Sequence, residues 1–320
     1  MSATEQRYDV VVIGGGAAGL SGAVALARSR RSVLVVDGGQ PRNAPADGVH
    51  NYLGREGTPP GELLALGRAE LAGYGGTVVP GTVTAVARRD GGFAVALDDG
   101  STVAARRLLV ATGLVDELPD VPGIAGRWGR DVLHCPYCHG WEVRDRPIGV
   151  LATGPTAVHQ ALLFRQLSAD VVFFRHTGPE LPADELEQLI ARGIRVVDGE
   201  VVAVEVSEDR LTGVRLASGE VVGRSVLVVA PRFTARAGIL AELGLAAAPV
   251  EMAGSVVGSA VAAEPTGATA VPGVWVAGNV ADLSAQVVVS AAAGLRAGAM
   301  INADLVAEEA RRAVAERVAA

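Results

Sequence analysis

Tyr8-Asp9-Val10-Val11-Val12-Ile13-Gly14-Gly15-Gly16-Ala17-Ala18-Gly19, with the chain that runs on to Asp37, decides the fold of this protein. Residues 8–13 form a short continuous apolar run, which suits a strand buried on both faces of a parallel sheet. The glycine-rich turn comes at once, then a helical stretch, LSGAVALARSR, then a second strand, SVLVVD. Strand, glycine turn, helix, strand and acid is the order of a dinucleotide-binding unit. Gly14 makes the turn, Gly16 lets the backbone approach a pyrophosphate, and Gly19 lets helix and strand pack closely. The helix N-terminus faces the phosphates, and Asp37 is placed to hydrogen-bond a ribose. A bare GxGxxG is weak evidence, but with both strands, the helix and the acid it is specific.

Outward from that unit, Gly38 to Gly61 is rich in Gly, Pro and Asn and reads as an ordered loop. Residues 62–73 read as a helix, and 77–110 alternate like a β-meander that runs into Ala111-Thr112-Gly113. Residues 114–125 read as a linker. A second unit follows: PIGVL, the turn Ala152-Thr153-Gly154-Pro155-Thr156-Ala157, a helix, and DVVFFR. Gly14 to Asp37 and Ala152 to Arg175 span the same number of positions, and the meander repeats, TVTAV at 82–86 against EVVAV at 200–204. Residues 273–300 read as a further buried strand, turn and helix, which the tail continues as an amphipathic helix. The expected fold is therefore α/β, with two Rossmann-like dinucleotide-binding domains, each a three-layer ββα unit, the second inserted into the first. The expected boundaries are 1–117, 118–243 and 244–320.

Composition narrows the function. At 320 residues and 49% hydrophobic the chain can build two cores. Its net charge of −7, with no Lys/Arg block beyond short pairs such as Arg88-Arg89, argues against nucleic acid or an anionic membrane as partner. No apolar run reaches the ~18 residues of a membrane span, and MSATEQRYD lacks a signal-peptide core, so a cytoplasmic protein is expected. The only two cysteines, Cys135 and Cys138, stand in His134-Cys135-Pro136-Tyr137-Cys138-His139. A Cys-x-x-Cys pair can exchange two electrons by closing and opening a disulfide. Half a zinc site is the alternative, but no second cysteine exists and His50, His159 and His176 are scattered. His134 and His139 are both candidates for a proton-handling group; packed or solvent-facing histidines are the plain alternative. Tyr137 and Trp141 read as core or as pocket lining, with Trp141 leaning to core.

With GGGAAG, ATG, CPYC and VAGNV in this order, the chain resembles the low-molecular-weight thioredoxin reductase family over essentially its whole length. The resemblance implies FAD as cofactor, a homodimer, and a nicotinamide-type middle domain that carries Cys-x-x-Cys. It assigns Gly14, Gly16 and Gly19 to the FAD pyrophosphate turn and Asp37 to the ribose. Asn51 matches a flavin-contacting loop residue, and Thr112 and Gly113 match the second FAD fingerprint. Gly278-Asn279 stands where the family has Gly-Asp on the ribityl chain, and Gln286 and Val287 match positions near the flavin ring. Ala17, Ala18, Gly38, Arg42, Asn43, Val83 and Ala111 complete the expected cofactor shell.

The departures from the family pattern carry the functional expectation. His139 replaces the acid that follows the second cysteine in the reductases. In the middle domain Ala152 replaces the first glycine of the nucleotide turn, and Pro155 removes an N–H donor. The 2′-phosphate cluster is reduced to Arg175-His176, although Arg175, aligned with Asp37, suits a phosphate as well as it suits plain solvent. CPYCHG followed by Trp-Glu is similar to FAD-dependent dithiol oxidases that close disulfides in natural products such as holomycin and gliotoxin. The expected reaction is oxidation of a small-molecule dithiol, with Cys135, Cys138 and His139 catalytic and oxygen as electron acceptor; a thioredoxin-like protein is the other candidate partner. An NADPH-dependent disulfide reductase and a flavin-binding redox sensor without turnover are the alternative readings.

Overall fold

The computed structural model describes residues 6–178 and 180–319. The first unit contains β1 (Arg7–Ile13), α1 (Ala17–Arg28), β2 (Val33–Asp37), α2 (Pro60–Gly73), β3 (Thr77–Pro80), β4 (Val83–Arg89), β5 (Gly92–Leu97) and β6 (Thr102–Val110). A short strand β7 (Leu114–Glu117) follows, then α3 (Ile124–Arg127), β8 (Val132–Leu133), α4 (Pro136–His139) and β9 (Ile148–Leu151). Next come α5 (Ala157–Phe164), β10 (Val171–Phe174), α6 (Ala183–Ala191), β11 (Arg195–Val197), β12 (Val201–Ser207), β13 (Arg210–Leu216), β14 (Val221–Val222) and β15 (Val226–Val228). The chain closes with β16 (Arg232–Ala235), β17 (Ala247–Met252), β18 (Ser255–Val261), β19 (Val274–Val276) and α7 (Val287–Ala319).

Two parallel sheets have the same layout. In the first, β3-β2-β1-β6 run parallel and β19 adds to β6, pairing Val274 with Leu108. In the second the order is β11-β10-β9-β15-β8, all parallel. Each has an antiparallel meander between two of its strands: β4-β5 between β3 and β6 in the first, and β12-β13-β14 between β11 and β15 in the second. β8 and β19 therefore occupy equivalent edges. The internal repeat shows the rest of this match, but β8 is too short to be read as a strand from pattern alone. Its place explains the site, because Cys135 follows β8 as Gly278 follows β19.

Residues 114–117 are not plain linker. β7 pairs antiparallel with β16, Leu114 opposite Ala235 and Glu117 opposite Arg232, and joins a four-stranded sheet, β17-β18-β16-β7. Both crossings between the two parallel sheets thus lie side by side in one ribbon. Apolar strands filled from both faces give two cores per parallel sheet. Val10, Val12, Val33 and Val35 pack under α1 and α7, and Val11, Leu34, Phe93 and Val110 pack toward the meander. α7 crosses α1 at glycines: a Cβ on Gly294 would lie 1.9 Å from the Ala18 carbonyl oxygen. Helix axes can approach this closely only where no side chain intervenes. The tail is helical as expected, but residues 311–319 are exposed on every side, so no amphipathic contact holds that end.

Candidate active site

Cys135 is the N-cap of α4 and Pro136 its first residue, a position where the missing proline N–H costs no hydrogen bond. His139 N–H donates to the Cys135 carbonyl at 3.2 Å, which brings the two cysteines to a Cα–Cα distance of 5.3 Å, and they form a disulfide. Neither thiol is then available as a zinc ligand. Gly140 lets this turn close, since a Cβ there would sit 2.2 Å from the Pro136 oxygen and 2.4 Å from Leu167. Both cysteines are half-buried, so exposure does not rank them. Tyr137 and Trp141 are exposed, at 62% and 65%. Trp141 is thus not core; the Arg144 guanidinium stacks on its ring at 4.1 Å instead.

The loop before α2 is tied to this helix. Asn51, in the left-handed region at φ 59°, donates from Nδ2 to the Tyr137 carbonyl at 2.6 Å. His50 lies 2.7 Å from Glu56 through Nδ1 and 3.5 Å from Glu142 through Nε2. His50 is one of the histidines that look scattered in the sequence, and the fold brings it to the disulfide. Burial pushes the pKa of His139 below the usual histidine value, against the pull of Glu142, so the neutral base form is favoured near pH 7. Its Nε2 is buried with no hydrogen-bond partner among the described residues.

His134 is half-buried, edge-on to Phe233 at 5.2 Å, with Nδ1 3.1 Å from the Val229 carbonyl. Burial lowers its pKa too, and likewise that of His176. In the unfolded chain these rings take a proton at about pH 6.5, above their folded values. Their contribution to stability is therefore complete above that pH and is lost as pH falls below it through the lower folded values. We expect the melting temperature to drop between about pH 7.5 and about 5.5, and to drop less steeply in His176→Asn, which removes one of the three. Thermal unfolding across that range checks this.

The disulfide opens onto a cavity of about 2000 Å³, against the ~300–1000 Å³ of an ordinary ligand pocket. Cys135, Cys138, His139 and the expected cofactor residues line it, apart from Gly19 and Asn51. The glycine turn forms its floor. Gly14 has φ 108°, and a Cβ there would lie 2.4 Å from the Ala111 oxygen. Gly19 is pressed on Gly14, with a Cβ-to-oxygen distance of 1.9 Å, whereas Gly16 meets nothing within 4 Å and leaves the approach open. α1 has no side-chain cap and no acid in its first turn, so its N-terminus is free to take an anion. Asp37 abuts Gly15 and receives Gly39 N–H at 3.0 Å and Arg68 at 3.1 Å. This cradle fits a dinucleotide such as FAD, and the rest of the cavity leaves room for a substrate beside the disulfide.

Two expected cofactor residues also bond within the protein. Arg42 forms a two-point ion pair with Asp116, at 2.6 and 2.7 Å, and lies over Phe233 at 5.2 Å; it reaches Asn279 only at 3.4 Å. Asn279 uses its amide to pin its own loop, donating to the Asp282 and Ala285 carbonyls at 2.9 Å. Asp116, Phe233, His50 and Glu142 are site residues that local pattern does not reveal, because they meet partners far away in sequence, and Glu56 joins them through His50. In the middle unit, Gly178 folds back on Ala152, so that a Cβ on Gly178 would lie 3.5 Å from the Ala152 Cβ, Arg175 is paired with Asp198 at 2.9 Å, and His176 Nδ1 accepts the Val201 N–H at 3.0 Å.

The model of the pyridine nucleotide-disulphide oxidoreductases matches residues 8–294. The chain belongs to that family. It is 31% identical over 319 residues to thioredoxin reductase sirT of Leptosphaeria maculans, covering 94% of this chain and 95% of that one. It is 29% identical over 316 residues to thioredoxin reductase tcpT of Claviceps purpurea (strain 20.1), covering 95% and 96%. Among solved structures, the crystal structure of HlmI is 48% identical, with a TM-score of 0.89 over 98% of this chain and 97% of that one. The chain is a disulfide oxidoreductase of the thioredoxin-reductase type, with two Rossmann units and a Cys-x-x-Cys disulfide. No helix among the described residues is long and apolar enough to cross a membrane.

Proposed function

We propose that this protein is an FAD-dependent dithiol oxidase that closes a disulfide in a small-molecule dithiol and passes the electrons to oxygen. We assign it to the cytoplasm as a homodimer, with FAD held by segments 1–117 and 244–320 around the segment 118–243. The observation that carries this reading is an intact disulfide beside a disabled nucleotide turn. Ala152 and Pro155 replace the open, donor-rich backbone that a pyrophosphate needs. At the ribose end of that turn, Arg175 and His176 are already engaged with Asp198 and Val201.

The substrate binds in the cavity with one thiol at Cys135. His139, neutral and half-buried, takes that thiol's proton, and the thiolate attacks the Cys135 sulfur. The Cys135–Cys138 bond breaks and Cys138 leaves as a thiolate. The second substrate thiol then attacks the mixed disulfide, which releases the product disulfide and leaves both cysteines reduced. FAD held in the glycine cradle would supply a two-electron acceptor for the reduced cysteine pair, with oxygen as the final acceptor. Within the cradle, Gly16 and the α1 N-terminus would hold the pyrophosphate and Asp37 the ribose.

An anaerobic titration tests this reading. Dithiothreitol should bleach the flavin fully, air should restore it with formation of peroxide, and NADPH should bleach it poorly. Stoichiometric bleaching by micromolar NADPH within a second would establish an NADPH-dependent disulfide reductase instead. His139→Ala should slow dithiol oxidation at least about tenfold at pH 7, since general-base help is commonly ~10²–10⁴-fold. The deficit should shrink toward about pH 9, because thiols ionise unaided above about 8.5. Turnover against pH for both proteins checks this; a pH-independent deficit would leave His139 an orienting role only.

A further inference from the structure

We propose that Glu142, His50 and Glu56 form a proton path from His139 to solvent; the proposal rests on the dithiol oxidase reading and adds residues to it. The helical turn at the disulfide does not stop at His139. Gly140 keeps right-handed helical angles (φ −73°, ψ −34°), its N–H donates to the Pro136 carbonyl at 2.9 Å, and residues Trp141–Val143 continue as a tight turn. His139 and Glu142, three residues apart on one helical ridge, are therefore neighbours. Across from Glu142 stands His50, 3.5 Å from its carboxylate. The other ring nitrogen of His50 contacts Glu56 at 2.7 Å, and the Glu56 side chain is 67% exposed.

An imidazole with a carboxylate at each nitrogen can take a proton on one side and release one on the other. Glu56 is fixed as the outer acceptor. Its second oxygen receives the Asn51 N–H at 2.9 Å, and the bond to His50 holds its carboxyl below the usual range, so it is ionised at neutral pH. Asn51 also grips the Tyr137 carbonyl between the two cysteines, so one residue holds both the outer acid and the redox turn in register. At the inner end, His139 Nε2 has no direct access to solvent and no hydrogen-bond partner among the described residues, while the Glu142 charge acts on the ring.

The charges facing the two rings set the direction of transfer. Glu142 and Asp47 favour a proton on His139, while a charged His50 opposes it. Glu56 and Glu142 flank His50. Charge on the His139 ring and charge on the His50 ring thus oppose each other. Two thiol protons leave the substrate in each turnover and two are taken up as oxygen becomes peroxide, so the path carries protons out and back with no net loss.

His50→Gln tests the path, since glutamine keeps hydrogen-bonding reach and cannot titrate; Glu142→Gln is the second variant. The readout is anaerobic reduction of the flavin by dithiothreitol in a stopped-flow instrument, which needs no oxygen. In His50→Gln the rate at pH 7 should fall about tenfold, with bound FAD and the disulfide intact. The deficit should narrow as pH rises, added imidazole should restore part of the rate, and Glu142→Gln should show the same pattern. Wild-type rates in both variants overturn the path, as does a deficit that neither pH nor imidazole moves. The oxidase reading is read separately, from reoxidation of the wild-type flavin by air. A wild type that dithiothreitol reduces but air does not reoxidise sinks that reading alone, and one that dithiothreitol cannot reduce sinks both.

Discussion

Cys138→Ser is expected to stop dithiol oxidation outright, a loss of roughly 10³-fold or more, while FAD stays bound. Cys135 and Cys138 form a disulfide, and among the protein's residues only these two can carry electrons as a thiol pair. Serine oxygen cannot form the bond that the substrate thiolate must break. Cys135 is then a lone thiol with no leaving group, and the first step has no electrophile. The cofactor cradle is built from other parts of the chain, the turn Gly14–Gly19, the strand end at Asp37 and the start of α7, and none of it moves when one sulfur becomes oxygen. Oxygen uptake with dithiothreitol and the flavin-to-protein ratio measure the two halves of the prediction. Residual turnover near the wild-type rate would mean that substrate thiols reach the flavin directly, without the protein disulfide.

The second large effect is on the cofactor itself. In Gly19→Val the new Cβ would stand 1.9 Å from the Gly14 carbonyl oxygen and 3.3 Å from Val12. Backbone oxygen cannot yield as a side-chain tip can, so α1 must shift away from β1. Overpacking of this kind typically costs about 1–3 kcal/mol. It also tilts the helix N-terminus off the phosphate position, and at least a tenfold loss of FAD occupancy should accompany a lower melting temperature. Gly16→Ala separates the two consequences. Nothing lies within 4 Å of a Cβ at Gly16, and its φ of −78° suits any residue. That variant should melt like the wild type yet bind FAD more weakly, because its methyl enters the space left for the pyrophosphate. Equal loss of stability in both variants would show that the open approach at Gly16 is not a binding surface.

The parts of this protein that sequence alone determines are those written in local chemistry. A buried strand is a short apolar run, and a close helix–strand crossing is a glycine at a given spacing. A two-electron centre is a pair of cysteines three positions apart. From these the doubly wound fold, its repetition within one chain and the disulfide oxidoreductase chemistry are legible without coordinates. The worn nucleotide turn is legible in the same way, from the methyl of Ala152 and the missing N–H of Pro155. Other features depend on which distant segments meet, and no local pattern encodes that. β7 and β16 are too short to announce themselves, yet their pairing lays the two crossings side by side. Arg42 reads as a cofactor residue, but only the fold shows its pairing with Asp116, and Trp141 reads as core until the turn at Gly140 leaves it in solvent. The placement of His50 against Glu142, and the burial that keeps His139 neutral beside the disulfide, belong to tertiary structure alone. Burial and through-space charge are set by everything packed around a group, whereas hydrophobic period and turn chemistry are set by the few residues beside it.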